Sequence, residues 1–309
     1  MNIIPINSPK AWLLASRPKT LTAALAPVLV ASALAMREDV LSEMPPRIWL
    51  TASLCVLFAA LMQVAANFIN DLYDFLRGTD GEERLGPERA CAQGWVTPGA
   101  MRWGIGIVLT LACTVGLGIL ASAMQSLDFP FSIFHFSFLI SVGAACVVFA
   151  FLYTTLLSYC GGGDVLVWLF FGLVPVLGTY YVLTGTLSPA AWLLGAAMGL
   201  VTDTLLVLNN YRDRHTDRQA GKRTLIVVLG ERFGEQFYLW QGLLGVALAV
   251  WGLGIGALIP YTLYIILHLR ATRLMCRIHT GRALNGILGR TAFNILLFAL
   301  CSIVAITLC

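Results

Sequence analysis

Charge is scarce in this chain. Asp, Glu, Lys and Arg make up 12% of its 309 residues, against about 25% in soluble globular domains. With 58% hydrophobic residues and a mean hydropathy of +0.81, a soluble domain is excluded and a polytopic membrane protein remains. Histidine is rarer still, with four residues. None shares a helical face with a serine or cysteine in the manner of a nucleophile and its base. The eight cysteines stand at positions 55, 91, 113, 146, 160, 276, 301 and 309. No two have the spacing of a zinc or redox pair, so they read as small, reduced residues of a membrane core. Nucleic acid is not an expected partner, and no obligate protein partner is implied.

Long apolar runs are what the chain has in abundance. A spanning helix needs about 20 mostly apolar residues. Nine segments qualify: roughly 18–36, 48–70, 101–123, 134–157, 164–184, 188–209, 236–257, 258–276 and 291–308. The expected fold class is therefore all-α, a bundle of nine transmembrane helices in a single domain covering 1–309. Pro98, Pro130, Pro189 and Pro260 sit at the expected breaks. The seventh and eighth spans are divided only by Gly256 to Pro260. Lys10, Arg17 and Lys19 followed by an apolar run and Ala31-Ser-Ala-Leu-Ala35 resemble a cleavable signal peptide. The basic cluster reaches unusually deep, to position 19, and the reading taken is an uncleaved first span.

The positive-inside rule orients these spans. With a cytoplasmic N-terminus, the inner segments and their flanks gather every Lys and Arg except Arg37 and Arg47. Those two lie beside Glu38, Asp39 and Glu43.

Against this background, two polar stretches stand out. Asn67-Phe-Ile-Asn70-Asp71-Leu-Tyr73-Asp74 closes the second span, and Asn209-Asn210-Tyr211-Arg212-Asp213 with Asp217 closes the sixth. Asn67, Asp71 and Asp74 fall at i, i+4 and i+7, and Asn209, Asp213 and Asp217 at i, i+4 and i+8. Each set thus shares one helical face. The echo suggests a duplicated unit, residues 12–160 and 161–290, with a last helix at 291–308. Carboxylates at membrane depth are costly unless they bind something. Both stretches run into basic loops on the predicted cytoplasmic side.

Carboxylates supported by Asn amides form an all-oxygen environment suited to Mg²⁺, which typically takes one or two carboxylates plus substrate phosphate oxygens. Arg17, Lys19, Arg212, Lys222 and Arg223 stand beside these acids and can hold further phosphate oxygens. A cation-transport site would not need so many cations. The combination points to a diphosphate head at the cytoplasmic surface with a hydrophobic tail in the bilayer, as in a polyprenyl diphosphate. The reaction it suits is ionisation of an allylic diphosphate. Aromatic walls can stabilise the resulting carbocation, with Tyr73, Tyr153, Phe170, Phe171, Tyr180 and Tyr181 as candidates.

The remaining polar residues have plainer readings. Asp80, Glu82, Glu83, Glu88 and Arg89 read as solvated loop charge. His215 falls off the face of its neighbouring aspartates and should meet solvent, and His135, His268 and His279 are bystanders. Asp203 lies deep in the sixth span and needs a partner. Asp164 opens the fifth span as a first-turn acid that complements the helix dipole.

Several segments together resemble the UbiA superfamily of intramembrane prenyltransferases, and within it the menaquinone branch. They are Ala15-Ser-Arg-Pro-Lys-Thr-Leu21, Asn67 to Asp74 with Gly78-Thr-Asp80, and Arg84-Leu-Gly-Pro-Glu-Arg89. Gly163-Asp164, Phe170-Phe-Gly172, Gly178-Thr-Tyr-Tyr181 and Asn209 through Asp217 to Gly221-Lys-Arg-Thr224 follow in family order. Phe75 departs from the broad superfamily's Asn-x3-Asp-x3-Asp pattern, and the Asp71-x-x-Asp74 spacing resembles the menaquinone branch. Cys160-Gly-Gly-Gly-Asp164 is shorter than that branch's Gly-Pro-containing loop.

The resemblance implies that Asn67, Asp71 and Asp74 hold one Mg²⁺ and that Asn209, Asp213 and Asp217 hold a second. Asp80 is a further candidate ligand. It implies that Arg17, Lys19, Arg212, Lys222 and Arg223 contact diphosphate, with Tyr153 among the catalytic residues. The acceptor it implies is 1,4-dihydroxy-2-naphthoate, prenylated with loss of its carboxylate to give a demethylmenaquinone in a cytoplasmic membrane. Two alternatives stay open at this point. One is another aromatic acceptor, 4-hydroxybenzoate or homogentisate. The other is an ion-coupled transporter, since intramembrane acids and repeats also mark transport paths.

Overall fold

A computed structural model of the chain describes residues 4–37, 46–78, 84–126, 133–157 and 161–308. Asp80, Glu82 and Glu83 lie outside them. Among the described residues the structure is all-helical, and nine helices are long and apolar enough to span a membrane. A short helix α1 (Pro9–Ala15) precedes α2 (Pro18–Arg37). Then come α3 (Pro46–Leu76), α4 (Pro98–Ser126) and α5 (Ile133–Leu152). The fifth span is composite: α6 (Gly163–Trp168), a π-helical stretch Leu169–Leu173, and α7 (Val174–Thr184). The chain continues through α8 (Pro189–Gln219), the short α9 (Leu225–Leu229), α10 (Glu231–Leu253), α11 (Leu258–Ile278) and α12 (Leu284–Leu308).

The spans sit where hydropathy puts them, but their ends differ in a way that matters. The sequence suggests that the second and sixth spans stop near residues 70 and 209. In the structure α3 runs on to Leu76 and α8 to Gln219. Both acidic stretches are therefore helical throughout, extending the spans as polar rods. Hydropathy ends a span where charge begins, whereas a helix ends only where its backbone partners or φ/ψ values do. The seventh and eighth spans divide at Gly254 (φ 97), followed by a 3₁₀ turn at Ile255–Ala257, two residues before the expected break.

Lipid offers apolar surface no better than Leu, so packing rests on close approach rather than on burial from water. Gly172 shows this most sharply: a Cβ placed there would lie 2.4 Å from the Cα of Gly199. That contact seats the π-helical stretch against α8. The largest core joins α2, α7, α8, α10, α11 and α12 around Tyr180, Met198, Tyr261, Tyr264 and Phe298. A second core ties Ala11 and Ala15 of α1 to Phe68, Ile69 and Leu72 of α3 and Met101 of α4. Trp103, Trp251 and Ile259 are among the large apolar side chains left on the outside, where lipid would meet them. Helix α5 buries none of its described side chains fully.

Two π-helical turns, Tyr153–Leu157 and Leu169–Leu173, flank one interior space. Such turns are inserted bulges that concentrate at functional sites. Here they aim Tyr153 and Phe170 into the same cavity.

Candidate active site

The cavity measures about 1710 Å³ and has two unlike ends. Its polar end lies between the last turns of α3 and α8. Its long remainder is walled by apolar and small side chains, among them Val28, Cys55, Phe58, Gly116, Leu120, Gly143 and Val147. A polar head and a hydrophobic tail are the shape it is built to hold.

The α3 wall is pinned from several directions. Asn67 donates from Nδ2 to the carbonyl of Ser16 and to Thr20 Oγ1, both at 2.9 Å. Its amide oxygen accepts from Gln63 Nε2 at 3.3 Å. These bonds grip the joint between α1 and α2, where Arg17 adopts φ 49. A left-handed conformation is uncommon for a non-glycine residue and marks a site that its surroundings over-determine. Arg17 and Lys19 both line the cavity mouth. Thr154 Oγ1 donates to Asn70 Oδ1, and Arg89 Nη2 pairs with Asp74 Oδ2 at 2.8 Å.

Asp71 departs from the expected arrangement. It is 1% exposed and is not part of the cavity wall. Its two oxygens accept the backbone N–H groups of Ala90 and Cys91, each at 2.9 Å. At about 100° per residue, Asp71 stands about 40° to one side of Asn67, while Asn70 and Asp74 stand about 60° and 20° to the other. The cavity faces the latter side. Asp71 thus anchors the loop that carries Arg84 and Arg89 to the site.

On the α8 wall, Arg212 grips its neighbour Asp213 in a fork, Nε to Oδ1 at 2.7 Å and Nη2 to Oδ2 at 2.5 Å. The guanidinium is buried and also donates to Asn285 Oδ1 at 2.8 Å. Asn285 in turn donates to the carbonyl of Leu85 at 2.8 Å, tying α12 to the same loop. A Cβ at Gly86 would come within 2.9 Å of Arg212 Nη2, so a larger residue there would have to displace the guanidinium. Asn209 donates to the carbonyl of Leu205 at 2.9 Å. Asp217 Oδ1 lies 3.3 Å from Lys222 Nζ.

Asn67, Asp74, Asn209, Asp213, Asp217, Arg17, Lys19, Arg212, Lys222 and Tyr153 are thus brought to one cavity. Asp71 and Arg223 are not; Arg223 is exposed, carried outward beyond the turn at Gly221 (φ 74). Of the aromatic candidates, Tyr153, Phe170 and Phe171 reach the wall, and Tyr73, Tyr180 and Tyr181 do not. His215 is exposed, as its helical phase suggested. Arg89 corrects the sequence reading: it is buried and pairs with Asp74, whereas the sequence read it as solvated loop charge.

Sequence reasoning also missed Arg77 and Arg84 as part of the cavity wall, together with Asn70, Asn210, Asn285, Phe58, Phe149 and Phe293. The one available signal was that Arg77, Arg84 and Arg89 flank an acidic helix end.

The donor set fits Mg²⁺. The wall offers carboxylates at Asp74, Asp213 and Asp217 beside amide oxygens of Asn67, Asn70, Asn209 and Asn210. Among the described residues no three His, Cys, Asp or Glu side chains converge into a ready cage. That suits an ion that is completed by substrate phosphate oxygens. Asp74, Asp213 and Asp217 each pair with a basic side chain: Arg89, Arg212 and Lys222.

The model of the UbiA prenyltransferase family matches residues 24–306. The chain is 36% identical over 237 residues to 1,4-dihydroxy-2-naphthoate octaprenyltransferase of Escherichia coli (strain K12), covering 75% of this chain and 73% of that protein. It is 34% identical to the Haemophilus influenzae protein of the same name, over 74% of this chain and 72% of the relative. Among solved structures, a UbiA homolog from Archaeoglobus fulgidus bound to DMAPP and Mg²⁺ superposes with a TM-score of 0.60 at 16% identity. That match covers 96% of this chain and 99% of the other.

Proposed function

The chain belongs to the UbiA prenyltransferase family, and from that premise we propose that it transfers a polyprenyl group from a polyprenyl diphosphate to 1,4-dihydroxy-2-naphthoate. The product is a demethylmenaquinone, made at the cytoplasmic face of a cell's inner membrane. The observation that carries this reading is the two-ended cavity: acids interleaved with cations at one end, an apolar channel at the other.

Asp74 on one wall and Asp213 and Asp217 on the other hold two Mg²⁺ ions, with Asn67 and Asn209 as amide donors. The metal supplies charge neutralisation of the departing diphosphate. Around it Arg17, Lys19, Arg84, Arg89, Arg212 and Lys222 take the remaining phosphate oxygens. They lower the barrier to C–O cleavage by receiving charge as it develops. Tyr153, Phe149 and Phe170 lie farther along the wall, Phe149 and Phe170 with centroids 4.9 Å apart. Ring faces there can stabilise the allylic cation, and the apolar walls keep water from capturing it. The ring carbon of the acceptor then attacks C1. The long helices α3 and α8 occupy corresponding places in the two halves, and we read the chain as one domain with a pseudo-repeat at 12–160 and 161–290.

The test is product analysis by mass spectrometry. Purified protein receives Mg²⁺, a polyprenyl diphosphate and an equimolar mixture of dihydroxynaphthoate, 4-hydroxybenzoate and homogentisate. Prenylated, decarboxylated naphthoquinol is the expected main product. A main product built on either other acceptor would overturn the acceptor assignment.

A further inference from the structure

Two buried carboxyl groups have no part in holding metal or diphosphate, and they lie directly behind the reaction chamber. Asp164 opens α6 and Asp203 lies midway along α8; they are 7% and 1% exposed. Their side chains meet within hydrogen-bonding reach. Asp203 Oδ2 accepts from Gln241 Nε2 at 2.5 Å. Its other oxygen, Oδ1, has no donor among the described residues. Two carboxylates in contact, with no cation between them, repel; one proton between them turns the contact into a hydrogen bond. A proton shared by the two acids removes that repulsion.

This pair is connected to the cavity. A second cavity of about 20 Å³ lies beside Asp164, lined also by Tyr153, Gly163, Asn210 and Thr224. That volume accommodates about one water, and its polar lining can hold it. Tyr153, Asn210 and Thr224 line the main cavity as well. A Cβ at Gly163 would rest 3.6 Å from the Tyr153 ring, and one at Gly161 (φ 77) would press on the carbonyl of Arg223 at 2.9 Å. The start of α6, which carries Asp164, thus packs beside the Tyr153 ring. The polar line runs from chamber to Tyr153, to a water-sized space, to Asp164, to Asp203.

We propose that Asp164 and Asp203 form a one-proton store that serves the aromatic acceptor through Tyr153. The inference rests on the acceptor reading above. Dihydroxynaphthoate carries a hydroxyl beside the carboxylate-bearing carbon. When that carbon's π electrons bond to the allylic C1, the C1–O bond has broken and its electron pair has left with diphosphate. The hydroxyl then becomes a carbonyl, and its proton passes by way of Tyr153 or the intervening water to Asp164, whose own proton moves on to Asp203, so the pair holds a second proton until it is returned. Next the C–CO₂ bond breaks, its electrons restore the aromatic ring, the oxygen takes the proton back, and CO₂ leaves. The ring hydroxyl gains and loses nothing overall. A store closed off from bulk water is what such a cycle needs, whereas a net proton release would need an exit. Asp164 and Asp203 act through Tyr153, as positioning and proton-holding residues.

The test uses Asp164→Asn and Asp203→Asn in the full-length enzyme with Mg²⁺, prenyl diphosphate and dihydroxynaphthoate. The expected kcat falls by about 10²-fold or more, the range for a lost acid–base group, while the KM for prenyl diphosphate stays within about twofold. Released diphosphate appears with prenyl alcohol in place of prenylated ring, and Asp164→Glu restores part of the ring product. Either Asn variant turning over at the wild-type rate overturns the store. So does a loss of diphosphate binding equal to the loss of kcat, which marks a structural role. Should the Asn variants fail to fold, Tyr153→Phe removes only the hydroxyl and must give the same split; a fully active Tyr153→Phe overturns the relay. An inactive wild type would sink the acceptor reading and the store together, whereas an active wild type beside an active Asp164→Asn sinks the store alone.

Discussion

Arg77, the residue just past the end of the acidic helix α3, donates to the carbonyl oxygens of Thr154 at 3.0 Å and Thr155 at 2.7 Å. Those carbonyls belong to the π-helical turn that begins at Tyr153. The residue that continues the metal-binding helix therefore also holds the turn that presents the chamber's tyrosine. Arg77→Met keeps much of the side chain's length and removes both bonds. With hydrogen bonds to charged groups worth about 1.5–3 kcal/mol, kcat/KM is expected to fall about 10- to 100-fold. Steady-state kinetics measures it; an unchanged kcat/KM would mean the turn is held without Arg77.

Asp71 and Asp217 offer a contrast. Asp217 faces the cavity, and Asp71 is spent on the N–H groups of Ala90 and Cys91. Asp217→Asn should raise the Mg²⁺ concentration needed for half-maximal activity and cost about 10²-fold or more in kcat. Asp71→Asn replaces one accepting oxygen by a donor that meets a donor, with an expected loss of about 1–3 kcal/mol in stability and little change in Mg²⁺ requirement. Magnesium titrations beside thermal unfolding in detergent separate the two. A steep Mg²⁺ shift in Asp71→Asn would return that residue to the metal.

Lys222 and Arg223 are adjacent, but only Lys222 lines the cavity. Lys222→Ala is expected to raise the KM for prenyl diphosphate about tenfold through a lost charged contact. Arg223→Ala should stay within about twofold, since exposed charges contribute about 0–1 kcal/mol. Equal effects of the two substitutions would contradict the structure.

Gly172→Ala tests the helix contact. The added Cβ would stand 2.4 Å from Gly199 Cα and 2.6 Å from the Gly195 carbonyl oxygen. Neither is a flexible side-chain tip, so α8 or the π-helical stretch must shift, costing about 1–3 kcal/mol or more. Gly106→Ala on α4 meets nothing within 4 Å and is expected to be neutral or to gain up to about 1 kcal/mol in helix propensity. Thermal unfolding of both variants in the same detergent decides it.

The sequence by itself determined the spans, because about 20 apolar residues in lipid have no alternative to a helix. It also placed Asn67, Asp71 and Asp74 on one helical face and Asn209, Asp213 and Asp217 on another, since helical phase is local. It did not decide which way each face turns. Asp71 and Asp74 are near-equivalent in the chain, yet about 60° of helical phase sends one to a loop and the other to the cavity. Nor did it decide what distant segments bring: the loop bearing Arg84 and Arg89 reaches the site only because Asp71, Arg212 and Asn285 fix it. Asp164 and Asp203, on separate spans, looked like a first-turn acid and a buried acid in want of a partner. Only the packing of α6 against α8, made close by Gly172 and Gly199, made them each other's partner. Local periodicity is written along the chain, and the contacts between helices arise from the fit of whole surfaces.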